Sequence, residues 1–147
     1  MQLISDKNKI LHKPCSVIPE INKDFKELIS KMFDLMKIHS GLGLAAPQVG
    51  LSQRFFIMSY GGQKIVCVDP KILEFSGDMI LKEEGCLSYP NQYMSIRRPE
   101  SIKVTYTDIN NKVKKTKFKG MKARIFQHES DHLHGLTFFD RARADMV

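Results

Sequence analysis

His128-Glu129-Ser130-Asp131-His132 fits the pattern H-E-x-x-H. On a helix, positions i and i+4 lie one above the other, so both imidazoles reach a single metal ion while Glu129 projects beside it. A catalytic metal of this kind takes three protein ligands and keeps one position for water. Only 15 residues follow His132, and their sole acids are Asp140 and Asp145. Upstream, Glu84-Gly85-Cys86-Leu87-Ser88 offers a cysteine at the end of an expected strand, and a thiolate there would complete a Cys-His-His set. A soft thiolate with two imidazoles suits Zn2+ or Fe2+. Cys67, inside the run IVCV, and Cys15 read as buried, inert cysteines. His134 stands roughly 200° around the helix from His132 and faces away from the metal side. His12 and His39 have no ligand-like neighbours.

A third segment, Gly41-Leu42-Gly43-Leu44-Ala45-Ala46-Pro47-Gln48, is a run of small residues ending in one amide side chain. Such a run lets a ligand approach the backbone closely and sets a fixed dipole beside it. It is not a dinucleotide loop, because that pattern needs a preceding strand and here a helix precedes it. The apolar residues near the ligands are Leu42, Leu44, Met121 and Ile125. Ile125, three residues before His128, shares the metal face and either lines a substrate pocket or packs the helix onto a sheet. Asp131 either orients a ligand histidine or solvates the helix.

The elements that must position these groups follow from periodicity. From Asn22 to Ser40, Phe25, Leu28, Ile29, Met32, Phe33, Leu35 and Met36 recur at three- and four-residue spacing, which predicts an amphipathic helix capped by Asn22 and stopped at Gly41. Short β-prone runs follow at 54–59, 64–68, 79–83, 101–107 and 112–118, punctuated by Gly61-Gly62, Pro70, Gly77, Pro90, Pro99 and Asn110-Asn111. Helical spacing returns after Gly120 and ends at Gly135. The order helix, strands, helix predicts an α+β domain: an N-terminal helix, a mostly antiparallel sheet and a metal-binding helix near the C-terminus.

The 147 residues predict one domain spanning 1–147. Three widely spaced cysteines without a CxxC pair do not form a disulfide framework. No stretch has the apolar length of a secretory signal or a membrane span, so a cytoplasmic protein without membrane attachment is expected. The formal net charge is +7, spread along the chain with local clusters at Arg97-Arg98 and Lys112 to Lys119. Ordinary solubility is its expected use, with no specific nucleic acid as partner.

GLGLAAPQ (41–48), EGCLS (84–88) and QHESDH (127–132) together resemble, in order and spacing, the three motifs of the peptide deformylase family. The resemblance runs from the N-terminal helix through Phe139. It implies a monomeric hydrolase that removes the N-terminal formyl group from formyl-methionyl nascent peptides. One divalent ion is implied, Fe2+ in the native enzyme, with Zn2+, Ni2+ or Co2+ able to replace it. Matched position by position, it makes Cys86, His128 and His132 the ligands and Glu129 the general acid/base. Gln48 and the Leu87 N–H become donors to the oxyanion, and Gly43 lies along the substrate backbone. A formyl-methionyl substrate needs a pocket for an unbranched thioether side chain, and the apolar residues near the ligands, Leu42, Leu44, Met121 and Ile125, with Glu84, are the candidates for the substrate side. Glu84 and Arg98 form a bracing ion pair, and Asp131 supports a ligand. The chain is similar to short-form deformylases of some bacteriophage genomes, without the C-terminal helical extension of many bacterial members. The implied location is the cytoplasm, that of a host cell if the chain is phage-encoded, and the route of any transient ribosome association is left open.

Three other readings compete. A zinc endopeptidase would draw its third ligand from downstream of His132. A cysteine hydrolase would use Cys86 as the nucleophile and be indifferent to chelators. A non-catalytic peptide-binding module would keep a structural Cys-His-His site and have no need of Glu129.

Overall fold

A computed structural model of the chain describes residues 1–145. The first helix, α1, spans Lys23–Ile38, and the Asn22 side chain caps it by accepting from the Phe25 N–H at 2.9 Å. Phe25, Ile29, Met32, Leu35 and Met36 form its buried stripe. The left-handed residue that ends it is Ser40 (φ 54°), not Gly41. Gly41 is small for another reason: a Cβ there would stand 2.6 Å from Leu87 Cδ1.

Five strands follow in one antiparallel meander: β1 (Gly43–Ala45), β2 (Phe55–Tyr60), β3 (Gln63–Cys86), β4 (Tyr89–Thr107) and β5 (Val113–Lys119). The segment 41–48 is therefore not all loop; it enters the sheet as β1 and then makes a 3-10 turn over Ala46–Val49. The runs at 64–68 and 79–83 are one 24-residue strand. Pro70 and Gly77, read as breaks, fall at register shifts between Val68 and Lys71 and between Ser76 and Met79. A bulge absorbs a residue that cannot pair and bends the strand without ending it.

The second helix, α2, spans Gly120–Leu133. A third, α3, spans Phe138–Asp145 and lies outside the helices predicted above. Along β2 the side chains alternate between two cores. Phe55 and Ile57 pack with α1, and Phe56 and Met58 pack with Ala123, Ile125 and Phe126 of α2. The uninterrupted apolar run FFIM is thus a strand covered on both faces. A smaller core joins α3 to β4 through Phe138 and Tyr89, whose rings stack at 5.7 Å.

Candidate active site

Three chain segments meet at one end of α2. β3 delivers Cys86 at its last residue, the turn after β1 delivers Gln48, and α2 carries His128, Glu129 and His132. The ligand atoms of Cys86, His128 and His132 all lie within 4.8 Å of one another. Cys86 Sγ is 3.5 Å from His132 Nε2. The Gln48 amide is buried; its oxygen accepts from the Ala45 N–H at 2.9 Å, and its nitrogen donates to Ser88 Oγ at 2.9 Å and lies 3.6 Å from Cys86 Sγ.

Charge fixes the histidines. Glu84 Oε1 is 2.9 Å from His128 Nδ1, which leaves Nε2 as the ring nitrogen free for the cluster. Glu84 also accepts from Arg98 at 2.6 and 2.9 Å and from Arg124 at 2.6 Å. Burial alone would raise the Glu84 carboxyl, but hydrogen bonds from His128 and Arg98 and the Arg98 charge outweigh it and hold it down to about 2. A carboxyl lowered on folding contributes stability above its unfolded value and loses it as pH falls through the folded one. Wild type should therefore lose roughly 3 kcal/mol of its advantage over Glu84→Gln as pH falls from about 4.5 to about 2. Urea unfolding of both proteins at pH 6 and pH 3 checks this, and an unchanged difference would contradict it.

Glu129 is 4% exposed, and its Oε1 has no partner among the described residues. Burial, reinforced by the Glu84 and Asp131 charges, pushes it up to about 7 against the pull of His128 and Arg98. A carboxyl at that value both takes and gives a proton near neutral pH. Gly43 faces it: a Cβ there would come within 2.5 Å of Glu129 Oε2, so only a glycine leaves room for the carboxylate. Burial, then the positive charges of His128 and Arg98, drives His132 well below its usual value. Burial alone would lower His128 too, but the Glu129 charge and the hydrogen bonds to Cys86 and Glu84 outweigh it and push His128 well above its own, so His128 gives up a proton when it takes an ion. His132 Nδ1 is the other buried polar atom without a partner among the described residues. A thiol, two imidazole nitrogens and an unpartnered carboxylate oxygen converging in a buried spot fit a divalent ion with one open position.

A cleft of about 490 Å3 opens onto this cluster, lined by Leu42, Gly43, Gln48, Glu84, Leu87, Met121 and Ile125. Leu44 is not there. It pairs with Ile57 and points into the α1 core, because adjacent strand residues face opposite ways. Asp131 touches neither histidine; it binds Arg98 at 3.0 Å and Arg141 of α3 at 2.7 and 2.9 Å. The orienting carboxylate is Glu84.

Sequence reasoning missed Ser88, Arg124 and Arg141. Arg124 precedes His128 by one helical turn and is buried, joining Glu84, the Ile80 carbonyl and the Ile96 carbonyl. An arginine on the same helix face as a ligand was its only signal. Among the described residues the donors that come together are Cys86, His128 and His132, while the downstream Asp140 is engaged by Thr137 and Arg143; the Asp145 side chain lies outside the described residues.

An α+β domain with a buried carboxylate beside a Cys-His-His cluster at the base of a cleft has the architecture of a hydrolase with a candidate metal centre. The family model for "Polypeptide deformylase" matches residues 1–146, and the chain belongs to that family. It is similar to a peptide deformylase of Thermotoga neapolitana, 39% identical over 91% of this chain and 82% of the relative. The crystal structure of the Thermotoga maritima peptide deformylase superposes with a TM-score of 0.92 at 37% identity, covering 95% of each chain. That of a probable peptide deformylase from Synechococcus phage S-SSM7 gives 0.90 at 36% identity, covering 95% of this chain and 98% of the other. No helix of the described residues is long and apolar enough to cross a membrane.

Proposed function

We propose that the chain hydrolyses the N-terminal formyl group of formyl-methionyl nascent peptides, releasing formate and a free amino terminus. The observation that carries this is the convergence of Cys86, His128 and His132 within 4.8 Å, beside Glu129 and Gln48, in a chain of this family. Cys86 Sγ and one ring nitrogen from each histidine would hold a divalent ion, with Fe2+ proposed as native and Zn2+, Ni2+ or Co2+ as replacements. When bound, such an ion supplies a Lewis acid and a water acidic enough to react at neutral pH.

The residues of the chain do the rest. Glu129 takes the proton of the attacking water and passes it to the departing nitrogen, so one carboxylate serves as base and then as acid. The Gln48 amide and the Leu87 N–H donate to the developing oxyanion, and losing one such donor costs about 3 kcal/mol of barrier. Gly43 lets the peptide backbone pass against Glu129, while Ile125, Met121 and Leu42 offer an apolar seat for the methionine side chain. Glu84, braced by Arg98 and Arg124, keeps His128 in the ligating tautomer, and Asp131 ties Arg98 to α3. The same reading includes a single catalytic domain, a monomer, a cytoplasmic location and transient ribosome association.

Anaerobically purified protein should carry about one divalent ion per chain and release formate from formyl-Met-Ala, a release stopped by a chelator and restored by Fe2+ or Ni2+. Chelator-resistant release would point to Cys86 as a nucleophile instead. Cleavage of unformylated casein with no formate release would point to an endopeptidase.

A further inference from the structure

Nearly all of the net charge sits in one short stretch. Residues 103–122 hold seven lysines against a single acid, Asp108, which is +6 of the formal +7. The fold lays this stretch out as β5, the strand beside it and the first turn of α2. β5 is the last strand of the sheet. Lys115, Lys117 and Lys119 are exposed at alternate positions while Phe118 is buried, so the three lysines share one face at a spacing of about 7 Å. Lys103 on β4 stands directly across from Lys117. Like charges placed opposite one another destabilise a sheet, so this array does not serve the sheet itself. Lys103 reaches Glu74 at 3.7 Å and Lys114 reaches Asp108 at 3.8 Å. No ion pair among the described residues involves Lys112, Lys115, Lys117 or Lys119.

Beside this row, an open groove of about 680 Å3 runs between β5, the start of β3 and α2. Lys114, Lys122 and the half-buried Tyr106 line it over the buried Phe118, on the face of β5 opposite the lysine row, and no acidic residue does. We propose that this lysine face binds the phosphate backbone of single-stranded RNA without regard to sequence. The row without acidic partners lies on one face of the sheet edge, and Lys114, Lys122 and the half-buried Tyr106 ring lie on the other, so a strand that follows the edge meets cations on both sides and one ring to stack on. A lipid surface fits less well, because membrane-binding faces add apolar residues to the cations, and Val113 is the one exposed apolar residue on β5. Edge strands also carry lysines to block strand-to-strand aggregation, a role that does not account for Lys103, which stands on the interior strand β4. None of these lysines lines the catalytic cleft, so the proposal stands apart from the deformylation reading.

The test uses the full chain and a fluorescein-labelled 20-nucleotide oligouridylate, with anisotropy read between 50 and 200 mM KCl. The triple variant Lys115→Gln/Lys117→Gln/Lys119→Gln should bind at least about ten-fold more weakly, with the log–log salt slope reduced by about 2, since each single-strand phosphate contact contributes about 0.7. Replacing the same three by arginine should preserve binding. The charge-matched triple Lys23→Gln/Lys26→Gln/Lys31→Gln on α1 should change it less than about two-fold. Unchanged formate release from formyl-Met-Ala and an unchanged Tm in each variant show that the fold is intact. Equal weakening in both glutamine triples would reduce the effect to net charge and overturn the proposal. So would β5-dependent binding to phosphatidylserine vesicles or polyglutamate in the absence of any to the RNA.

Discussion

Glu129→Gln should retain its metal and bind formyl-Met-Ala nearly as wild type does, yet turn over at least about 10³-fold more slowly. The amide preserves the shape that packs against Gly43, where even one added carbon would stand 2.5 Å from the carboxylate, so the change is chemical and not steric. It removes a carboxyl that burial holds at about 7 and that, among the described residues, has an oxygen with no partner. A loss in kcat with KM little changed is the signature of a group acting in the transition state. Metal content must be measured alongside, because an empty site would mimic the loss. Turnover within ten-fold of wild type in metal-replete protein would remove Glu129 from the role of acid/base.

The second large effect concerns the thiol. Cys86→Ala should weaken metal binding by more than the roughly 10–100-fold that loss of an outer-shell partner causes, and should abolish formate release. Cys67→Ala should keep both. Cys67 lies fully buried among Phe56, Ile102 and Phe126, where burial pushes its thiol up and makes it an inert packing group. Metal analysis of the two purified variants distinguishes them directly. If Cys86→Ala binds an ion as tightly as wild type, the set of donors lies elsewhere. A thiolate on ferrous iron also predicts activity that decays in air, more slowly after exchange to Ni2+.

The two helices that carry the longest periodic patterns were legible because their signals are local. Asn22 caps α1 through a bond only three residues long, and the i, i+4 spacing places His128 and His132 on one face whatever surrounds them. The sheet was legible in its runs but not in its continuity. Pro70 and Gly77 end a strand in isolation, yet 73–86 pairs with β4 along nearly its whole length, and bulges take up the misfits. Leu44 was misplaced because a strand sends neighbours to opposite faces, and nothing within GLGLAAPQ says which face the cleft occupies. Helix α3 escaped notice because Phe138-Phe139-Asp140-Arg141 is too short for periodicity to register.

What the chain determined alone was the donor chemistry: a thiol, two imidazoles at helical spacing, one carboxyl between them and one amide after a run of small residues. Tertiary structure decided which carboxylate serves which histidine. Glu84 lies 44 residues from His128 and Asp131 only three, yet it is Glu84 that meets the ring, and Asp131 turns to Arg98 and Arg141. Residues three apart on a helix share a face, but the partner of a buried ring is set by the strands packed against that face. The same holds for charge: a pattern along the chain gives its sum, and only the pairing of β4 with β5 and the free edge beyond decide where that sum is felt.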